Sequence, residues 1–118
     1  MCFIRYVHKY SIMLIKTKLI PAGFQAVTIW PFIVVLPEHA TNPGLIEHEM
    51  VHYREQSWIT AIWWVRYVVS KSFRQAAEVR AYKRQIEVGG ISVETAANML
   101  LCYRLGITYD QAYALLTA

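Results

Sequence analysis

Residues 47 to 53, Glu-His-Glu-Met-Val-His-Tyr, carry the densest chemistry in the chain. Within them His48, Glu49 and His52 follow the pattern H-E-x-x-H. On a helix, positions i and i+4 stand one above the other on one face, so two imidazoles at that spacing can share one metal ion. Glu49, next to the first histidine, is placed to work on a water at that ion. The chemistry implied is zinc-assisted hydrolysis, with zinc acidifying the water and polarising a carbonyl while Glu49 acts as general base. Shuffling this composition would produce the pattern on the order of 1% of the time.

A catalytic zinc takes three protein ligands and keeps a fourth position for water. A histidine at position 58 with glycine at 55 would complete one such set, but the chain has Trp58 and Glu55 there. Asp110, the only aspartate, reads as a first-turn helix residue. The glutamates downstream of the motif are Glu55, Glu78, Glu87 and Glu94. Glu55 is three residues past His52 on the same helix, and one helix cannot wrap three ligands round an ion. Glu78 lies in Arg74-Gln-Ala-Ala-Glu-Val-Arg-Ala-Tyr82, where Ala76, Ala77 and Ala81 let a second helix approach closely. Glu78 is therefore the expected third ligand.

That expectation sets a condition on the elements between. No Gly or Pro occurs between Leu45 and Val88, a pattern open to one long helix or a simple hairpin. His52 and Glu78 are level in a symmetric hairpin only if it turns near residue 65, whereas the best turn chemistry, Ser70-Lys71-Ser72, comes later. A continuous helix from 52 to 69 would travel about 25 Å, and residues 73 to 78 return only about 7 Å. The helix must break or bend before Val69, or residues 69 to 76 must be extended.

The elements that carry the motif are legible around it. Leu14 to Ile20 and residues 25 to 36 read as strands, with Pro31 marking an edge or a bend and Pro21-Ala22-Gly23 a turn. Thr41 or Asn42 caps the motif helix, with Pro43 at its first position and Glu47 in the next turn. Gly89-Gly90 closes the region, Ser92 caps a helix from Val93 to Arg104, and Thr108 with Gln111 forms a capping box for Tyr109 to Leu116. The expected class is α+β: a small antiparallel sheet, then the motif helix, then further helices, in a single domain over 1–118. The last two helices superficially resemble helix-turn-helix, but Arg104 is their only basic residue, so they are read as packing.

Composition narrows the partners. A net charge of +4 is modest and its Lys and Arg are scattered, so no nucleic-acid partner is expected. Cys2 and Cys102 show no C-x-x-C spacing and are read as two reduced thiols. Arg5, His8, Lys9, Lys16 and Lys18 interrupt any signal-peptide core, and a cytoplasmic location is expected. The apolar run Trp58 to Val69 is too short to span a bilayer and reads as a buried core helix. Its Trp63, Trp64, Arg66 and Tyr67 also suit a membrane interface, a secondary reading. His8 and His39 are read as loop or surface histidines.

With these residues in place, H-E-x-x-H followed by a glutamate on a later helix resembles the gluzincin branch of the zincin metallopeptidases. The wording of 48–56, His-Glu-Met-Val-His-Tyr-Arg-Glu-Gln, and of 77–82, Ala-Glu-Val-Arg-Ala-Tyr, resembles its small bacterial and phage-type domains. The resemblance covers roughly residues 27 to 85. It implies a peptide or protein substrate, held by strand addition to an edge within Thr28 to Leu36. Many gluzincins carry an aspartate four residues after the ligand glutamate; this chain has Tyr82 there, so another carbonyl or carboxylate must orient the histidine. Tyr82, then Tyr53, His39 and Arg80, are the candidate donors to a developing oxyanion. A second reading, from a different class, is a zincin-shaped zinc-binding or interaction protein with little turnover, suggested by the small size of the chain.

Overall fold

The computed structural model describes residues 3–7, 12–20 and 22–118, with side chains from residue 14 onward. Cys2, His8 and the Pro21 of the expected turn lie outside the described residues. Among the latter, strands β1 (Phe3–Val7), β2 (Ile12–Lys16), β3 (Ala26–Ile29) and β4 (Phe32–Val35) precede helices α1 (Pro43–Gln56), α2 (Thr60–Val69), α3 (Lys71–Glu87), α4 (Val93–Leu100) and α5 (Tyr109–Thr117). The class is α+β, as expected.

The sheet, in order β1-β2-β4-β3, is mixed and not antiparallel throughout. β1 with β2 and β3 with β4 are antiparallel, but β2 runs parallel to β4, with Leu14 opposite Ile33. The route of the chain explains the difference. Residues 25 to 36 fold as a hairpin turning at Trp30-Pro31, where the missing proline N–H breaks no ladder. The chain passes outward to β3 first, and only then does β4 return beside β2. The open edge next to the helices is therefore β3; β4 lies inside the sheet, so most of the edge expected within Thr28 to Leu36 is already paired.

α1 begins as its sequence dictates. The Asn42 side chain accepts the Leu45 N–H at 3.2 Å, and Pro43 fills a position where its lost donor costs nothing. Leu45, Ile46 and Met50 bury against Leu14, Ile33 and Val35 of the sheet. A second core gathers Tyr82 of α3 with Ala96, Ala97, Leu100, Leu105, Ala112 and Leu116. α4 stops at Leu100, shorter than its pattern suggested, and one 3-10 turn leads to Arg104 at φ +55°. The Thr108–Gln111 capping box is present at the start of α5.

The uninterrupted run from 45 to 88 is three helices. α1 breaks at Ser57, whose φ is +42°, and a 3-10 turn over Ser57–Ile59 redirects the chain into α2. Ser70, extended, ends α2 and caps α3 by accepting the Phe73 N–H at 3.2 Å. The break before Val69 required by the ligand geometry is thus at Ser57. α3 then lies against α1 along a seam. Ala77 and Ala81 are buried there, while Ala76 is exposed and takes no part. At the end of the seam a Cβ on Gly44 would stand 2.5 Å from the Gly90 Cα, so only glycines permit this approach.

α2 corrects the expectation of a buried core helix. Trp63 is its one buried residue, and Trp58, Ile62, Val65, Val68 and Val69 are exposed. The reason is that Trp63 packs on α1 and α3 from one side, through His52 and Phe73, while the opposite side points to solvent. No helix among the described residues is long and apolar enough to cross a membrane.

Candidate metal centre

The seam between α1 and α3 brings the expected ligands together. His48 and His52, one helical turn apart, both aim Nε2 at the same oxygen, Oε1 of Glu78, each at 3.3 Å. All three residues are buried, and their donor atoms lie within 4.8 Å of one another. Two donors each about 2.0–2.1 Å from a tetrahedral ion stand about 3.3–3.4 Å apart, so the two His–Glu separations match a shared metal. Two imidazoles and a carboxylate are a donor set that suits zinc and other borderline divalent ions. The group can hold a metal ion.

The surroundings hold each ligand in place. The His48 ring packs edge-on to Tyr82 at 4.3 Å between centroids, and His52 packs on Trp63 at 5.6 Å. Tyr67 donates its hydroxyl to Glu78 Oε2 at 2.5 Å, leaving Oε1 to the histidines. His52 Nδ1 lies 3.6 Å from Glu55 Oε1, and neither buried atom has a hydrogen-bond partner. Arg80 binds the other Glu55 oxygen, through Nε at 3.0 Å and also through its terminal nitrogen. A carboxylate therefore stands behind a candidate ligand histidine, on α1 and not at position 82. A second cross-link, Arg84 Nε to Glu47 Oε2 at 3.2 Å, ties the same two helices.

Electrostatics follow from burial of so many charges. Burial alone would push the His52 imidazolium down, but the Glu78 carboxylate beside it, aided by Glu55, holds it up at about 10. Burial works against the Glu78 carboxylate too, yet the two histidines hold it well below the usual carboxylate range. Glu49 is raised, chiefly by burial, with the histidines acting against the shift. Burial, then the negative charge of Glu78, keeps Tyr67 and Tyr103 protonated; Tyr82 is also raised, chiefly by burial.

A cavity of about 280 Å³ opens over these groups. Its base is His48, Glu49, His52 and Glu78; one wall is the segment Gly23 to Thr28 that leads into β3, and the other is Trp63, Trp64 and Tyr67 of α2 with Tyr82 and Tyr103. The β3 wall is pinned to α1. Gln56, fully buried, donates to the Thr28 carbonyl and accepts the Trp30 N–H, both at 2.8 Å, and Thr28 Oγ1 donates to the Glu49 carbonyl at 3.2 Å.

Of the four candidate oxyanion donors, Tyr82 reaches the cavity wall, where its hydroxyl meets that of Tyr103 at 2.9 Å. Tyr53 packs toward the sheet core and Trp30, Arg80 is engaged with Glu55, and His39 sits in the turn Pro37–His39; none of these lines the cavity. Glu87 and Glu94 are exposed and do not join the group of His48, His52 and Glu78. Cys102 is a free thiol, exposed at the cavity rim. Gln56, Tyr67 and Tyr103 also serve the site, in places that the motif itself does not assign them. Gln56 was findable, because 48, 52 and 56 share one helix face; the tyrosines left no spacing signal.

No protein-family profile matches the chain, and no curated protein or solved structure is similar enough to count as a match.

Proposed function

We propose that the chain is a zinc-dependent metallopeptidase of gluzincin type, with His48, His52 and Glu78 as zinc ligands and Glu49 as general base. The observation that carries the proposal is the convergence of both Nε2 atoms on Glu78 Oε1, at the base of a cavity that also contains Glu49. Zinc held there would supply Lewis acidity, polarising the scissile carbonyl and making water a nucleophile near neutral pH. Glu49 takes a proton from the attacking water as the C–O bond forms and returns it to the nitrogen as the C–N bond breaks. Its upward shift on burial suits a group that must both accept and release a proton.

Tyr82, kept protonated in the cavity wall, donates to the developing oxyanion. Glu55, its Oε1 3.6 Å from His52 Nδ1 and beyond hydrogen-bond reach, is the carboxylate that stands where an orienting partner for the ring would act, the role an aspartate at position 82 would have had. A peptide adds to the free edge of β3 at Ala26 and Val27, because Gln56 already occupies the Thr28 carbonyl. The apolar lining of Phe24, Val27, Leu45 and Trp64 favours a large apolar side chain in the cavity.

Metal analysis of the purified chain, followed by peptide cleavage for wild type and Glu49→Gln, tests the reading. Both proteins should hold one zinc, and the variant should turn over about 10² to 10⁴ times more slowly. Zinc in both with cleavage by neither would favour a zinc-binding interaction protein. A wild type that binds no zinc would remove both readings.

A further inference from the structure

α2 carries its apolar residues on the wrong side for a surface helix. At 100° per residue, Trp63, Trp64 and Tyr67 share the face that lines the cavity. Ile62, Val65, Val68 and Val69 share the opposite face and are 61% to 74% exposed. Trp58, in the turn before the helix, is 84% exposed. An ordinary surface helix puts polar residues outward, and a contiguous apolar patch of this kind marks a contact surface.

Charge narrows what the contact is. Residues 56 to 77 contain no Asp or Glu. Of their cations, Arg74 is committed to backbone carbonyls of Tyr67, Val68, Tyr103 and Arg104, while Arg66, its guanidinium 4.3 Å over the Phe73 ring, and Lys71 are exposed at the flank and end of the apolar face. A second copy of the chain, docked about a two-fold axis, would set Arg66 and Lys71 against their own counterparts, and the carboxylate beside Ile62 and Arg66, Glu55, is already held by Arg80. The outward residues Ala61, Ile62, Val65, Val68 and Val69 offer no hydrogen-bonding side chains, so nothing within the face itself would fix register with a protein partner. A lipid surface needs no such groups: apolar side chains enter the acyl boundary, Trp sits at headgroup level, and cations meet anionic headgroups.

We propose that α2 and Trp58 dock the chain flat on an anionic phospholipid bilayer, with Ile62, Val65, Val68 and Val69 inserted and Arg66 and Lys71 on the headgroups. The docking face and the cavity wall are then two sides of one short helix, so the bilayer lies directly behind the metal centre. This inference does not depend on the hydrolase reading.

The test is co-sedimentation of the full chain with vesicles of phosphatidylcholine alone and of equal parts phosphatidylcholine and phosphatidylglycerol, with tryptophan emission read in parallel. Binding should appear on the anionic vesicles, weaken at high salt, and shift the emission to the blue; Trp58→Phe should reduce that shift. Arg66→Gln and Lys71→Gln should each weaken binding about fivefold. Val65→Glu with Val69→Glu should abolish it while the far-UV circular dichroism stays that of wild type. Three results would overturn the proposal. These are no binding of wild type to anionic vesicles, binding that survives the double glutamate variant, or a dimer in solution that this variant dissociates.

Discussion

In the seam between α1 and α3, Glu47, His48, Glu49, His52 and Glu78 are all buried, while on the outer side of α2 three valines and an isoleucine face solvent. The two regions are joined by the single turn Ser57–Ile59. Stability alone would place the residues the other way round, since burying charge is costly and exposing Val forgoes apolar burial. The seam survives because its buried charges answer one another, Glu78 between two histidines and Tyr67, and Glu55 between His52 and Arg80. α2 survives because its inner aromatic side holds it to the body: Trp63 packs edge-on to His52 of α1 and Phe73 of α3, and Tyr67 bonds Glu78. What the contrast teaches is that the seam depends on partners within the fold, whereas the outer face of α2 has none among the described residues.

The largest effect expected from breaking that contrast is at Glu78. Glu78→Ala should abolish stoichiometric zinc binding and, in the metal-free protein, cost about 3–5 kcal/mol, since it leaves a buried imidazolium without its counter-charge; metal analysis and urea unfolding read both. The sign of the pH dependence follows. With its folded pKa raised from 6.5 to about 10, the contribution of His52 is fully present below pH 6.5 and is lost as the pH rises through 10. Metal-free wild type should therefore lose stability over that range, and Glu78→Ala should flatten the slope.

A smaller effect tests the carboxylate behind the ligand. Glu55→Gln should lower zinc affinity about 10- to 100-fold in chelator competition, with the fold intact. Unchanged affinity would reduce Glu55 to a surface partner of Arg80. The smallest belongs to the other region: Val65→Ser should change unfolding stability by less than about 0.5 kcal/mol, because the side chain is already in water. A loss of several kcal/mol there would mean that α2 is covered within the fold.

Much of the site was legible because it is local. His48, Glu49 and His52 are fixed to one another by helical spacing, and Asn42-Pro43 announces where that helix begins. Glu78 was reached by exclusion and by the small residues beside it, and its geometric condition located a break between 52 and 69. The rest was not legible for specific reasons. The parallel pairing of β2 with β4 depends on which strand leaves the hairpin first, which hydropathy does not encode. The outward side of α2 reads as core, because Ile and Val look the same in sequence whether they meet a sheet or water. Tyr67 reaches Glu78 only through the turn at Ser70.

By itself, then, the sequence determined that two imidazoles and a carboxylate share one stretch of α1, since a single helical turn settles their relation. Only the tertiary structure decided that Glu78 closes the set, that Glu55 stands behind His52, and that the apolar side of α2 faces outward. Those relations join residues whose separation in space is set by the break at Ser57 and by the close approach of Gly44 to Gly90, and no local periodicity carries that information.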